Sequence, residues 1–140
     1  DAALLLQDYD VARDRYLSVL KQQPDNANAL NNVAWLLNRN KDPQALEYAE
    51  RAIKLAPNNP DYLDTLAQIQ AAAGRVDKAI EIQKKVVDLS PDLPTPRLRL
   101  AQYYVNANQK AQAREQLQRL AQLGDRFPQQ AEVKKLIEGL

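Results

Sequence analysis

Histidine, cysteine and methionine are absent from this 140-residue chain, and glycine occurs only three times. Histidine and cysteine supply most transition-metal ligands, the thiol nucleophile and the usual base of hydroxyl triads, so those chemistries have no carriers here. Without histidine there is also no side chain whose ordinary titration falls between pH 6 and 8. Lack of cysteine removes disulfides as a marker of compartment. The three glycines, Gly74, Gly124 and Gly139, are too scattered for a phosphate-cradling loop, and Ser18 and Ser90 stand apart from any base. No apolar run approaches the roughly 20 residues of a membrane span. The start lacks the basic n-region and small-residue cleavage site of a secretory signal.

Charge of one sign is missing too. Nineteen basic and 18 acidic residues are interspersed to a net +1, which gives no field to attract a polyanion and argues against nucleic acid as partner. With 45% hydrophobic and 26% charged residues the composition is that of a folded domain.

What is present is a repeat. YLSVLKQQPDNANAL, AERAIKLAPNNPDYL and QKKVVDLSPDLPTPR align without gaps, and Pro24, Pro57 and Pro91 are spaced by 33 and 34 residues. Ala12, Ala45 and Ala79 lie twelve residues before these prolines; Ala34, Ala67 and Ala101 lie ten after. Between the anchors apolar residues recur every three or four positions, as in Leu30, Val33, Ala34 and Leu37, which marks amphipathic helices. The pattern predicts helices roughly over 9–22, 26–39, 43–55, 60–73, 76–88, 95–106, 110–123 and 129–138. Asn40, Gly74 and Asn108 are the expected left-handed turn residues, and Asp42-Pro43 reads as an N-cap with proline in the first turn. Small residues let paired helices approach closely, and proline after the second helix fixes the turn into the next unit.

These alanines and prolines resemble the pattern of the tetratricopeptide repeat. The resemblance implies an all-α, right-handed superhelix of antiparallel helix pairs: a partial repeat over 1–24, repeats over 25–58, 59–92 and 93–125, and a capping helix within 126–140. In that cap Ala131, Val133, Leu136 and Ile137 cover the last pair, while Glu132, Lys134, Lys135 and Glu138 face water. The sequence departs from the family pattern where Leu30, Leu63 and Arg97 replace an aromatic of the first helix, and where Ala49 and Gln83 replace a bulky residue of the second. More narrowly, NNVAWLLNRN, LDTLAQIQAAAGRVDKAIEI and the ending LGDRFPQQAEVKKLIEGL resemble the C-terminal part of bacterial tetratricopeptide lipoproteins encoded with exopolysaccharide and exosortase (PEP-CTERM) systems. That implies an envelope-associated protein on the periplasmic or outer side, anchored through an upstream lipidated segment.

A solenoid of this kind presents the first helices of its repeats on a concave face. The outward positions expected there are Asn31, Asn32, Trp35, Asn38 and Arg39, then Asp61, Asp64, Thr65 and Gln68, then Leu98, Arg99, Gln102 and Val105. Rows of amides suit an extended peptide backbone, because each both donates and accepts. The bland alternative is a face that is merely solvated. Trp35 is either an anchor in the groove or a ring packed against the next repeat's first helix. Some tetratricopeptide domains grip a C-terminal carboxylate on this face; here Asp61 and Asp64 would repel one. Asp64 and Arg99, on successive first helices, are placed to pair, worth about 0–1 kcal/mol if exposed. Asp61 and Asp64 share a helix face, yet such carboxylates are ordinarily solvated charges, so no catalytic residue, metal site or cofactor is assigned. The expected partner is a protein or peptide. Self-association is the second expectation: Asp1–Gln7 reads as the end of a truncated first helix, leaving Leu4, Leu5 and Leu6 to pair with another copy. A regulatory arm of an upstream enzyme is the third.

Overall fold

The computed structural model describes residues 2–140, with side chains from Leu5 onward. Eight α-helices follow one another among these residues: α1 Ala2–Gln22, α2 Ala27–Arg39, α3 Ala45–Leu55, α4 Pro60–Ala72, α5 Val76–Leu89, α6 Pro94–Asn106, α7 Lys110–Ala121 and α8 Gln130–Glu138, with a 3-10 turn over Gly124–Arg126. Each helix packs on its neighbours in sequence, and α2 also touches α4 directly, so the pairs α2/α3, α4/α5 and α6/α7 stack into an array.

Local chemistry sets the helix starts. Asn26 caps α2 by accepting from the Ala29 N–H at 2.9 Å, and Asn59 caps α4 by accepting from Asp61 and Tyr62, with Pro60 in the first turn. Pro24, Pro57 and Pro91 all fall in the turns after second helices, where a missing N–H and a fixed φ cost nothing. Ala34, Ala45, Ala67, Ala79, Ala101 and Ala113 are essentially without solvent exposure, which is the close helix approach that their size allows. Among the described residues the core falls into three clusters. Val33 and Leu37 meet Ala45, Ala49 and Ile69; Leu100, Tyr103 and Tyr104 meet Ala79 and Ile80; Leu98, Leu117, Leu120, Phe127 and Val133 close the C-terminal end.

The structure departs from the sequence reading in four places. First, α1 is continuous from Ala2 to Gln22. No separate helix ends near Gln7, because the segment from Gln7 to Tyr9 contains no Gly, Pro or capping pattern to break it; Asp1 and the side chains of residues 2–4 lie outside the described residues. Second, the left-handed residue of the α2–α3 turn is Lys41 (φ 56°), while Asn40 sits at φ −89°. Lys41 is the position equivalent to Gly74 (φ 80°), and Asn108 (φ 58°) follows as expected. Third, Asp42 does not cap a helix starting at Pro43: it accepts from the Gln44 N–H at 2.9 Å in a turn, and α3 begins at Ala45. Fourth, Ala131 of α8 is exposed, and the cover over the last pair comes from Phe127, Val133, Leu136, Ile137 and Leu140.

Candidate functional site

The residues expected on the first-helix face divide into three groups. Asp64, Gln68, Arg99 and Gln102 form hydrogen bonds across it. Arg99 of α6 pairs with the Asp64 carboxylate of α4; Gln68 donates to the same carboxylate at 2.9 Å. One repeat along, Gln102 donates to Glu132 of α8 at 2.6 Å. Glu132 is exposed, as expected of the wet side of α8, and from there it also reaches the face of α6. These contacts join three successive first helices, α4, α6 and α8, by side chains spaced one repeat apart.

A second group turns inward. Asn31, Thr65 and Leu98 are buried. Neighbouring residues on a helix point about 100° apart, and here Asn32 and Arg99 turn toward the face while Asn31 and Leu98 turn toward the packed side. Leu98 lies in the C-terminal core cluster. Thr65 hides because it is short, and its hydroxyl donates back to the Asp61 carbonyl at 3.2 Å. Asn32, Asn38 and Val105 are half-buried, and Asp61 and Arg39 are exposed.

Trp35 and Arg39 make up the third group, with a partner that sequence did not foresee. The Trp35 ring meets Tyr9 of α1 edge-on at 5.9 Å, and the Arg39 guanidinium stacks 4.3 Å from the Tyr9 centroid and 5.1 Å from that of Trp35. Trp35 thus packs backward onto α1 while remaining half-exposed. Such cation–π stacking is worth about 0.5–1 kcal/mol at an exposed site.

Gln83 of α5 lies beneath the Asp64–Arg99 pair with no solvent exposure at all. Its amide donates both to Asp64 at 3.0 Å and to the Pro96 carbonyl at 3.0 Å, tying α4, α5 and the start of α6 together. The departure from a bulky apolar residue at this position was the available signal, but nothing in the sequence says that the replacement would be a buried connector. Tyr103 lies near this network. Burial, and then the Asp64 carboxylate, push its phenol up to about 12. Its hydroxyl and the Gln83 Oε1 reach no partner among the described residues.

In front of the network is a cleft of about 190 Å³, with Asp61, Asp64, Pro96 and Arg99 among its lining. It offers carboxylate oxygens and guanidinium N–H groups side by side, a set that can meet both the N–H and the C=O of a peptide unit. Among the described residues no group of three acidic, histidine or cysteine side chains stands together to hold a metal, and no helix is long and apolar enough to cross a membrane.

Family models described as tetratricopeptide repeat match residues 1–60, 43–94 and 70–138. The chain is 32% identical over 93 residues to a TPR repeat-containing thioredoxin from Arabidopsis thaliana, covering 66% of this chain and 13% of that protein. It is 31% identical over 98 residues to the small glutamine-rich tetratricopeptide repeat-containing protein 2 of Saccharomyces cerevisiae, covering 69% of this chain and 28% of the relative. The chain thus spans less than a third of either relative. Among solved structures, MamA from Desulfovibrio magneticus superposes with a TM-score of 0.77 at 25% identity, over 87% of this chain and 70% of that one. Stacked helix pairs closed on buried alanines, turned at regularly spaced prolines and matched by these models from end to end place the chain in the tetratricopeptide repeat family.

Proposed function

We propose that this chain is a non-catalytic interaction scaffold that holds a polypeptide along the face made by its first helices. The observation that carries the reading is the Asp64–Arg99 pair with its cleft: acceptor and donor groups from two repeats, held in place by the buried Gln83, present a fixed polar edge to a passing backbone. Preorganised groups bind with less entropy loss than free side chains. Asn32, Trp35, Asn38, Arg39, Asp61, Gln68, Gln102 and Val105 extend the same surface. Two carboxylates at the cleft disfavour a C-terminal carboxylate and favour an internal segment.

The test is to select peptides from a random library on the whole chain and titrate them calorimetrically. Arg99→Asp should weaken binding by about tenfold or more, as for a central charged contact, while Lys85→Asp on the exposed side of α5 should leave it unchanged. Equal affinity for both variants would sink the reading.

The ending's likeness to exosortase-associated repeat lipoproteins supports a finer reading, in which the partner belongs to a bacterial envelope or exopolysaccharide-export assembly. Co-fractionation of the native protein with cytoplasmic proteins would contradict it. A second reading, self-association, is favoured by Leu5, Leu6 and Val11, exposed on α1 at 50%, 57% and 42%. Light scattering should then show growth in size with concentration that Leu5→Glu with Leu6→Glu removes; a strict monomer counts against it.

A further inference from the structure

The junction between the pairs α2/α3 and α4/α5 is built differently from the one that follows. Ala45 comes 11 positions after Ala34, whereas Ala79 and Ala113 each come 12 after Ala67 and Ala101. Helices α5 and α7 begin three residues ahead of their contact alanines; α3 begins on Ala45 itself. A helical turn is therefore missing beside Pro43. Helix α4 ends across from it in Ala72 and Ala73, which are too small to fill the space. An open groove of about 640 Å³ results. At the next junction Tyr103 stands in the position of Ile69 and is buried in one cluster with Ile80 and Val76.

The floor of the groove is apolar, formed by Pro43, Leu46, Ile69, Ala72 and Ala73, and its rim is cationic. Lys41 is held there by its left-handed backbone, and its N–H donates to the Asn38 carbonyl at 3.0 Å. Arg75 is oriented by its Nε, which donates to Gln70 at 2.6 Å and leaves the terminal nitrogens to other partners. Neither cation joins an ion pair among the described residues. The one acid at the rim, Asp42, already accepts from the Gln44 N–H.

We propose that this groove docks a segment of a partner protein in which branched apolar side chains stand next to carboxylates. The apolar side chains lose water against Leu46, Ile69 and the alanines, and the carboxylates meet Lys41 and Arg75. Charge complementarity sets the sign: a basic segment of the same hydrophobicity is repelled. The groove lies at the helix-pair turns, shares no residue with the Asp64–Arg99 cleft and meets the wider first-helix surface only at Asn38, so cleft and groove stand or fall separately.

The test uses the full chain, labelled with nitrogen-15, and two N-acetylated, C-amidated hexapeptides, one alternating leucine with glutamate and one leucine with lysine. The first should shift the amide resonances of Lys41, Ala72, Ala73 and Arg75 saturably. The second should bind about tenfold more weakly or worse. Lys41→Gly combined with Arg75→Gln should weaken the acidic peptide about threefold to tenfold, the range of two exposed ion pairs. Ala72→Tyr, at an exposed position, should block it; should that variant lose helicity, the double variant decides. Equal binding of both peptides, no shifts at millimolar peptide, or shifts confined to Gln68 and Gln102 would overturn the proposal, and none of these outcomes bears on the scaffold face unless the last occurs, which supports it.

Discussion

Replacing Asp64 with alanine removes the acceptor shared by Arg99, Gln68 and Gln83. The three losses are unequal. Gln83 is fully buried and keeps only its bond to the Pro96 carbonyl, so losing its second acceptor costs about 1 kcal/mol. The Arg99 side chain is about a third exposed, at 35%, so water screens its loss to about 0.5–1 kcal/mol. Gln68 is half-exposed and turns to solvent at little cost. Alanine returns about 0.5 kcal/mol of helix propensity. The net destabilisation is about 1–1.5 kcal/mol, a drop in Tm of roughly 3–7 °C for a chain of this size. Circular dichroism melts of the wild type, Asp64→Ala, Arg99→Ala and the double variant complete a cycle, in which the Asp64–Arg99 coupling should be about 0.5–1 kcal/mol. Coupling indistinguishable from zero, together with an Asp64→Ala melt matching the wild type, would refute the preorganised network.

Other substitutions probe neighbouring parts. Gln83→Leu removes an unpaired buried acceptor along with two donor contacts, so it should stay within about 1 kcal/mol of the wild type, whereas Gln83→Ala, which leaves a cavity, should cost about 3 kcal/mol in urea unfolding. Tyr103 holds its proton more tightly folded than unfolded, so its contribution is complete below about pH 10 and is lost as pH rises toward 12. Stability measured across that window should fall by up to about 2–3 kcal/mol more in the wild type than in Tyr103→Phe; parallel curves would contradict the buried phenol. Lys41→Gly relieves a left-handed lysine and should stabilise by about 0.5 kcal/mol despite the added freedom of the unfolded chain.

Much of the fold was legible because its determinants are local and repeat. Alanines at fixed distances from prolines have one economical explanation, closely paired helices joined by stopped turns, and the six contact alanines from Ala34 to Ala113 are buried accordingly. The turn at Lys41 was misread by one position because Asn40, the more tolerant residue type, stands directly beside the lysine that takes the left-handed conformation. The continuity of α1 was missed for the opposite reason: a repeat pattern implied a break that no local breaker enforces. At the candidate site, the pairing of Asp64 with Arg99 followed from repeat spacing alone. Burial of Asn31 and Leu98 did not, since adjacent helix positions were both assigned outward. Nor did Gln83 or Tyr9, whose roles depend on which element lies behind them.

Hydrogen exchange with and without a selected peptide tests the central claim most directly. Bound peptide should slow exchange in α4 over Asp61–Gln68 and in α6 over Leu98–Val105, leaving α5 and α7 unchanged, because the ligand seals the face that the first helices share. Protection centred on α5 and α7, with α4 and α6 unaffected, would contradict it.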